Sequence, residues 1–244
     1  VLSFIDASCK LADVGCDHGY LAIMAIQKGV SFVQLIDNKK GPLDSAKENL
    51  KYYQDKALVK YSLSSGISSV LPDVDTVAIC GMGGELIAHI LESDFESAKK
   101  IGKFILQPNS KISLLRKFLI SHHFQILDEA IVLDNDKTYE IIVANYSLNQ
   151  REYNELDIMF GPILRTSKDP LFIKKWDNKL RYNLEILNKI DKNSIKYQEI
   201  LDENSKIKHF FTSSRTSPLT WCSDPLKSPE TRRVLPLRAL SSSQ

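Results

Sequence analysis

The chain has 244 residues, enough for one domain of ordinary size plus a modest appendage. Hydrophobic residues make up 43% and charged residues 25%, the mix of a soluble globular protein, and no apolar stretch is long enough to span a bilayer. A net charge of +2 does not by itself point to nucleic acid, and no membrane partner is expected.

Residues 1–12 lack the basic start and apolar run of a signal peptide. Residue 1 is not Met, so a shortened start is expected. Residues 10–14 read as a buried strand ending in Gly15, and residues 20–28 as a helix with Leu21, Met24 and Ala25 on one face. A second apolar run, 32–36, is closed by Asp37. Gly41-Pro42 then opens a helix carrying Leu43, Ala46, Leu50 and Tyr53. Residues 58–63 and 74–80 are further strands, the latter ended by Gly81-Met82-Gly83-Gly84. Residues 85–99 predict one helix with Leu86, Ile87, Ile90 and Leu91 facing inward. A fifth strand, 103–106, stops at Pro108, and Asn109 or Ser110 is placed to cap the helix that carries Ile112, Leu115, Phe118 and Leu119. Residues 124–133 and 138–146 are β-rich runs around the polar joint Asp134-Asn135-Asp136-Lys137, an antiparallel hairpin.

Strands alternating with helices imply a parallel sheet covered on both faces. Five such units followed by a hairpin make an α/β fold with the Rossmann-like seven-stranded sheet of class I methyltransferases, whereas a dinucleotide-binding dehydrogenase would continue with parallel units. After Gln150 the texture changes. Pro170 begins a helical pattern with Trp176, Leu180, Leu184 and Leu187 in one stripe. Lys192-Asn193-Ser194 breaks it, and residues 195–208 resume with Ile200, Leu201 and Ile207. The result is a C-terminal antiparallel helical hairpin. The expected domains are therefore 1–150, an α/β catalytic domain; 151–210, the hairpin; and 211–244, a Ser-, Pro- and Arg-rich tail expected to be disordered or non-native. Lys+Arg against Asp+Glu runs 15 to 18 in the first, 12 to 10 in the second and 5 to 2 in the third. The basic excess thus lies outside the α/β part, which fits an appended module that meets a polyanion.

Chemistry concentrates at the strand ends. Asp13-Val14-Gly15-Cys16-Asp17-His18-Gly19-Tyr20 follows the first strand, at the edge where open α/β sheets bind ligands. Gly15 permits close backbone approach, and the helix after Gly19 offers free N–H groups to a carboxylate. Asp17 stands where a pyrophosphate fingerprint has its middle glycine. It would repel pyrophosphate but suits a ligand with an ammonium and a sulfonium. Asp37 is placed to accept hydrogen bonds from ribose hydroxyls, in NAD and S-adenosylmethionine alike. Ser64-Ser65-Gly66 is either an adenine contact or an ordinary turn. Gly81, Met82, Gly83 and Gly84 leave bare backbone where methyl donor and acceptor meet, with Met82 packing either on a base or into the core. Gln107 and Asn109 offer donors and acceptors to a base edge, Asn109 serving equally well as a cap. The Asn/Asp-Pro-Pro-aromatic motif of amino methyltransferases is absent. Cys9, Cys16, Cys80 and Cys222 form no Cys-x-x-Cys pair, so reduced thiols are expected; the five histidines show no ligand spacing, and no metal is expected.

Residues 13–20, Lys40-Gly41-Pro42, residues 79–84, residues 106–109, Lys137 with Tyr139-Glu140-Ile141, and Phe160-Gly161-Pro162 stand in the order in which the bacterial tRNA (adenine-22) N1-methyltransferases carry them. The chain resembles that family over about residues 1–208. The resemblance implies S-adenosylmethionine as cofactor, tRNA as substrate, methylation of adenine N1, and a hairpin that helps hold tRNA in a cytoplasmic, monomeric enzyme. By position, Asp13, Gly15, Asp17, His18, Tyr20, Asp37, Ser65, Gly66 and Gly81 would line the cofactor. Asp17, Gly81, Met82, Gly83, Gln107 and Asn109 would serve the acceptor and the chemistry. Two departures stand out: the family usually has a basic helix ahead of the position of Val1, and position 65 carries Ser where the pattern has Asn or Asp. The rival expectations are a methyltransferase for a small molecule or protein, a non-catalytic RNA-binding relative, and a nicotinamide dehydrogenase.

Overall fold

A computed structural model describes residues 1–167 and 169–213. Strands β1 (Lys10–Val14), β2 (Phe32–Asp37), β3 (Leu58–Leu63), β4 (Thr76–Gly83), β5 (Lys103–Ser110), β6 (Phe124–Asp134) and β7 (Lys137–Tyr146) form one seven-stranded sheet in the order β3-β2-β1-β4-β5-β7-β6. The helices are α1 (Tyr20–Gln27), α2 (Lys40–Leu50), α3 (Gly84–Ser93), α4 (Phe95–Ala98), α5 (Ile112–Ser121), α6 (Glu155–Phe160), α7 (Pro170–Leu187) and α8 (Ile195–Ser213). The first five strands pair in parallel, and β7 enters antiparallel between β5 and β6. This is the seven-stranded Rossmann-like sheet that was expected, and α7 and α8 are the two helices expected after it.

The central strands are apolar because both their faces are covered. Alternate residues feed two cores. Val14, Ile36, Val77, Ile79, Phe104 and Leu106 pack with Ile87, Leu91, Leu115 and Leu119 from α3 and α5. Leu11, Val33, Leu35, Ala78 and Ile105 pack with Ala25, Ile26, Leu43, Ala46 and Leu50 from α1 and α2. The β6–β7 joint places Asn135 and Asp136 at φ 44° and 62°, the two left-handed positions of a tight hairpin turn.

Several local expectations change. The helix expected over 85–99 is two helices. Asp94 leaves helical geometry at φ −138°, ψ 62°, and its side chain accepts from the Ser97 N–H to cap α4. Leu86 and Met24, expected inward, are exposed, as is Leu201 on α8. Strands β4 and β5 run three and four residues past their expected ends, to Gly83 and Ser110. Helix α5 is entered from Lys111 at φ 51° with no side-chain cap, so neither Asn109 nor Ser110 caps it.

The first compact unit is Val1–Tyr182, so its limit does not coincide with the expected boundary at residue 150. Residues after 150 are tied to the sheet: the Ile126 N–H donates to Tyr153 Oη at 2.9 Å, Asn154 forms a capping box for α6, and Phe160 packs edge-on against Phe172 and Trp176. A buried ionic network anchors the same stretch. Arg116 donates to Glu129 at 2.8 Å and to Glu140 at 2.6 Å, Glu129 also accepts from the Ile163 and Leu164 N–H groups, and Lys175 pairs with Glu140. Gly161, at φ +88°, sits where any Cβ would lie 2.6 Å from Arg116 Nη2 and both Glu129 carboxylate oxygens.

The second unit begins at Asn183. There the last turns of α7 meet α8 through Asn183, which donates to Asn204 at 2.8 Å and to Glu203 at 2.7 Å, with Ile200, Ile207 and Phe210 buried. Helix α8 continues to Ser213, past the expected start of the tail at 211; residues 214–244, with Cys222, lie outside the described residues. Among the described residues no helix is long and apolar enough to cross a membrane, and no group of three or more His, Cys, Asp or Glu could hold a metal.

Candidate active site

The strand order reverses between β1, which pairs with β2 on one side, and β4 on the other. Ligands of open α/β sheets bind at the carboxyl ends of the strands beside such a switch point. The loop after β1 is drawn to the end of β2: the Gly15 and Cys16 N–H groups both donate to the Ile36 carbonyl, at 2.8 and 3.3 Å. Gly15 (φ +75°), Asp17 (φ 48°) and Gly19 (φ 73°) are all left-handed. Gly19 also has no room for a side chain, since a Cβ would lie 2.7 Å from Leu50 and 3.0 Å from Leu35. Asn49 on α2 donates to the His18 carbonyl at 3.0 Å and fixes the loop from outside. Helix α1 then starts at Tyr20 without a side-chain cap, leaving its first N–H groups open at this edge.

Asp13 ends up buried, 4% exposed, in the last turn of β1 before the loop. Burial, reinforced by the nearby Asp37 carboxylate, pushes its pKa up to about 7. Among the described residues no hydrogen-bond donor meets its side chain. Asp37 is half-buried and accepts from the Lys39 N–H at 2.9 Å. Among the described residues no ion pair is formed by either Asp13 or Asp37, which fits a ligand that brings positive charge. Burial, then Asp13, pushes the Cys16 and Cys80 thiols up to about 12, so both are protonated.

His18 and Tyr20 stand exposed at the mouth, ring centroids 5.8 Å apart, with His18 Nε2 3.6 Å from Asp17. Ser65 is exposed in a turn that follows β3; Gly66 is left-handed at φ +66°, and the Ser64 N–H donates to the Asp37 carbonyl at 2.9 Å. This places the turn beside Asp37. Gln34, a polar residue inside β2, holds the far side of the same loop. Its carboxamide donates to Ser62 at 2.9 Å and the Ser69 carbonyl at 2.7 Å, and accepts from the Leu71 N–H at 2.9 Å. Sequence reasoning missed Gln34, although a Gln within Phe-Val-Gln-Leu-Ile was a visible signal.

On the β4 side, Gly81-Met82-Gly83 and Gln107-Pro108-Asn109 do not form two separate loops. They continue the β4–β5 pairing with register shifts at Met82. Met82 packs against the core and lies over Gly15, where a Cβ on Gly15 would overlap its terminal methyl. The β1 and β4 loops therefore touch. Gln107 Oε1 accepts from the Gly81 N–H at 2.9 Å, Gln107 Nε2 donates to Asn109 Oδ1 at 2.9 Å, and Asn109 Nδ2 donates to the Gly81 carbonyl at 2.7 Å. Both amides, expected to face a base edge, spend part of their hydrogen-bonding capacity on Gly81.

A family model described as tRNA (adenine(22)-N(1))-methyltransferase matches residues 11–211. The tRNA (adenine(22)-N(1))-methyltransferase of Bacillus subtilis (strain 168) is 28% identical over 223 residues, spanning 85% of this chain and 92% of that protein. The structure of M. capricolum TrmK in complex with S-adenosyl-homocysteine has a TM-score of 0.78 at 29% identity, covering 86% of this chain and 94% of that one. The crystal structure of B. subtilis m1A22 tRNA methyltransferase TrmK has a TM-score of 0.74 at 26% identity, covering 86% and 94%.

Proposed function

The chain belongs to the tRNA (adenine(22)-N(1))-methyltransferase family, and on that premise we propose that it transfers a methyl group from S-adenosylmethionine to N1 of adenine 22 in tRNA. The observation that carries the reading is the acidic, glycine-rich edge at the switch point, where the Asp37 carboxylate acts on the buried Asp13 and the β1 and β4 loops meet. When bound there, S-adenosylmethionine supplies an electrophilic methyl on a sulfonium. We assign Asp13, Gly15, Asp17, His18, Tyr20, Asp37, Ser65, Gly66 and Gly81 to its binding. Asp37 would take ribose hydroxyls, the open N–H groups of α1 a carboxylate, and the Asp13 side an ammonium.

The acceptor side falls to Gly81, Met82, Gly83, Gln107 and Asn109. Adenine N1 has an in-plane lone pair and needs no base before it attacks. The C–S bond breaks as the C–N1 bond forms, and the adenine then carries a positive charge until an N6 proton leaves. Asp17, exposed beside His18, is the group we assign to take that proton. Alignment of the two partners contributes up to about 7–11 kcal/mol in such reactions. Taking the base out of its stack costs a few kcal/mol, which packing on Tyr20 or Met82 offsets.

We assign tRNA holding to the region after residue 150, where residues 151–210 carry 12 Lys+Arg against 10 Asp+Glu. The reading is of a cytoplasmic monomer, and the free thiols Cys9, Cys16 and Cys80 suit a reducing compartment. The test is incubation with labelled S-adenosylmethionine and unmodified tRNA, followed by mapping of the methylated nucleoside. Label at N1 of adenine 22 is expected. Label elsewhere, or tRNA binding that does not weaken with salt, counts against the reading.

A further inference from the structure

Gly81 is unusual among the left-handed glycines of this site. At Gly15 and Gly19 a side chain would strike neighbours, but a Cβ at Gly81 would meet nothing within 4 Å. Packing therefore does not account for a glycine at φ +78°. What holds the peptide is hydrogen bonding. The Gly81 N–H and C=O are both taken, by Gln107 and Asn109, and those two amides are bonded to each other. The three bonds form a closed ring with one direction: Gly81 N–H to Gln107, Gln107 N–H to Asn109, Asn109 N–H to the Gly81 carbonyl. Reversing either amide places oxygen against oxygen or N–H against N–H, so each fixes the other's orientation. The ring stands where β4 and β5 continue past their regular pairing, with Gly81 and Asn109 exposed.

We propose that Gln107 and Asn109 are positioning residues that act through Gly81. Their ring fixes the Gly81 peptide at the donor–acceptor gap and leaves the open side of Gly81 free for the incoming adenine. The proposal rests on the methyl-transfer reading above and assigns the two amides a task other than independent recognition of a base edge. A buried or packed glycine would be held by its neighbours. Here the neighbours are absent, and a local ring supplies the rigidity that orienting a reactant requires.

Three variants of the full chain test this: Gln107→Met, Asn109→Asp and the double variant. Hydrogen exchange of the Gly81 amide, read by NMR without substrate, is expected to be about tenfold faster in both single variants. With tRNA and S-adenosylmethionine, kcat is expected to fall roughly 30- to 100-fold, the range of a small misplacement of reactants. The KM for tRNA is expected to stay within about twofold, because the two amides hold Gly81 and do not supply the grip on the tRNA. The double variant is expected to lose no more than the worse single one, since the ring breaks only once. The proposal is overturned if Gly81 exchange is unchanged in either single variant, if exchange rises while kcat holds, or if the double loss equals the product of the single losses. Should Gln107→Met not fold, Gln107→Glu, which keeps an acceptor for Gly81 but no donor for Asn109, carries the same expectation for kcat. A wild-type chain that leaves adenine 22 unmethylated, yet shows the exchange pattern, refutes the methyl-transfer reading while the ring stands.

Discussion

Asp13→Asn separates stability from function at one atom. In the folded chain the Asp13 carboxyl is buried beside Asp37, which raises its pKa from 3.8 to about 7. Between those values the unfolded carboxyl has released its proton and the folded one has kept it. The folded state binds more protons there, so stability falls as pH rises through the window and levels off above about 7. Each pH unit of the window is worth about 1.4 kcal/mol, which makes the total about 4 kcal/mol. The Asn variant has no such proton, and its buried amide costs about 1–3 kcal/mol at every pH if it finds no partner. The variant should therefore be equal to or weaker than wild type near pH 4 and stronger at pH 8. At ~2–4 °C per kcal/mol for a chain of this size, the difference in Tm should move by ~8–16 °C between those pH values. Thermal melts at matched ionic strength from pH 4 to pH 8 measure it. At pH 8 S-adenosylhomocysteine should raise the wild-type Tm and leave the variant's nearly unmoved. A Tm difference that stays constant over the pH range would refute the reasoning, since it would mean that Asp13 ionises in the folded chain as it does in the unfolded one.

Arg116→Met should cost about 3–5 kcal/mol, because Glu129 and Glu140 stay buried without their shared cation; the urea midpoint at constant m measures it. Gln34→Leu strands the Ser69 carbonyl and the Leu71 N–H, at about 1–3 kcal/mol. It should also raise the KM for S-adenosylmethionine more than the KM for tRNA, since the loop it holds carries Ser65 and Gly66. Gly84→Ala places a Cβ 2.5 Å from the Lys111 carbonyl and 2.9 Å from that of Ser110. Backbone cannot swing away as a side chain can, so a loss of about 2–4 kcal/mol in a thermal melt is expected.

The sheet was legible because its signals are local. The strands β1, β2, β4 and β5 are short, largely apolar runs closed by Gly, Asp, Gly and Pro, and the hairpin is marked by Asn135-Asp136. Errors arose where a polar side chain chose between two backbone partners. Asp94 continues an amphipathic pattern on paper, yet its carboxylate caps the next turn and splits the helix. Arg116, Glu129, Glu140 and Lys175 come from four elements, so no window of sequence shows that they meet. That meeting explains why residues 151–182 pack with the sheet unit despite a change in composition at Gln150.

At the site, residue type revealed position but not partnership. Asp13, Asp37 and the glycines could be placed by strand-end logic, because a parallel sheet delivers its carboxyl ends to one edge. The mutual charge of Asp13 and Asp37 depends on β1 and β2 being neighbours, which alternation alone leaves open among several strand orders. Gln107 and Asn109 show the limit more sharply. Two amides two residues apart on a strand point to the same side, and from sequence that side was taken to face substrate. It faces Gly81, 26 and 28 residues earlier in the chain. Whether an exposed amide meets a ligand or its own backbone is decided by what the adjacent strand presents. Here that strand presents a left-handed glycine whose N–H and C=O would otherwise be left to solvent.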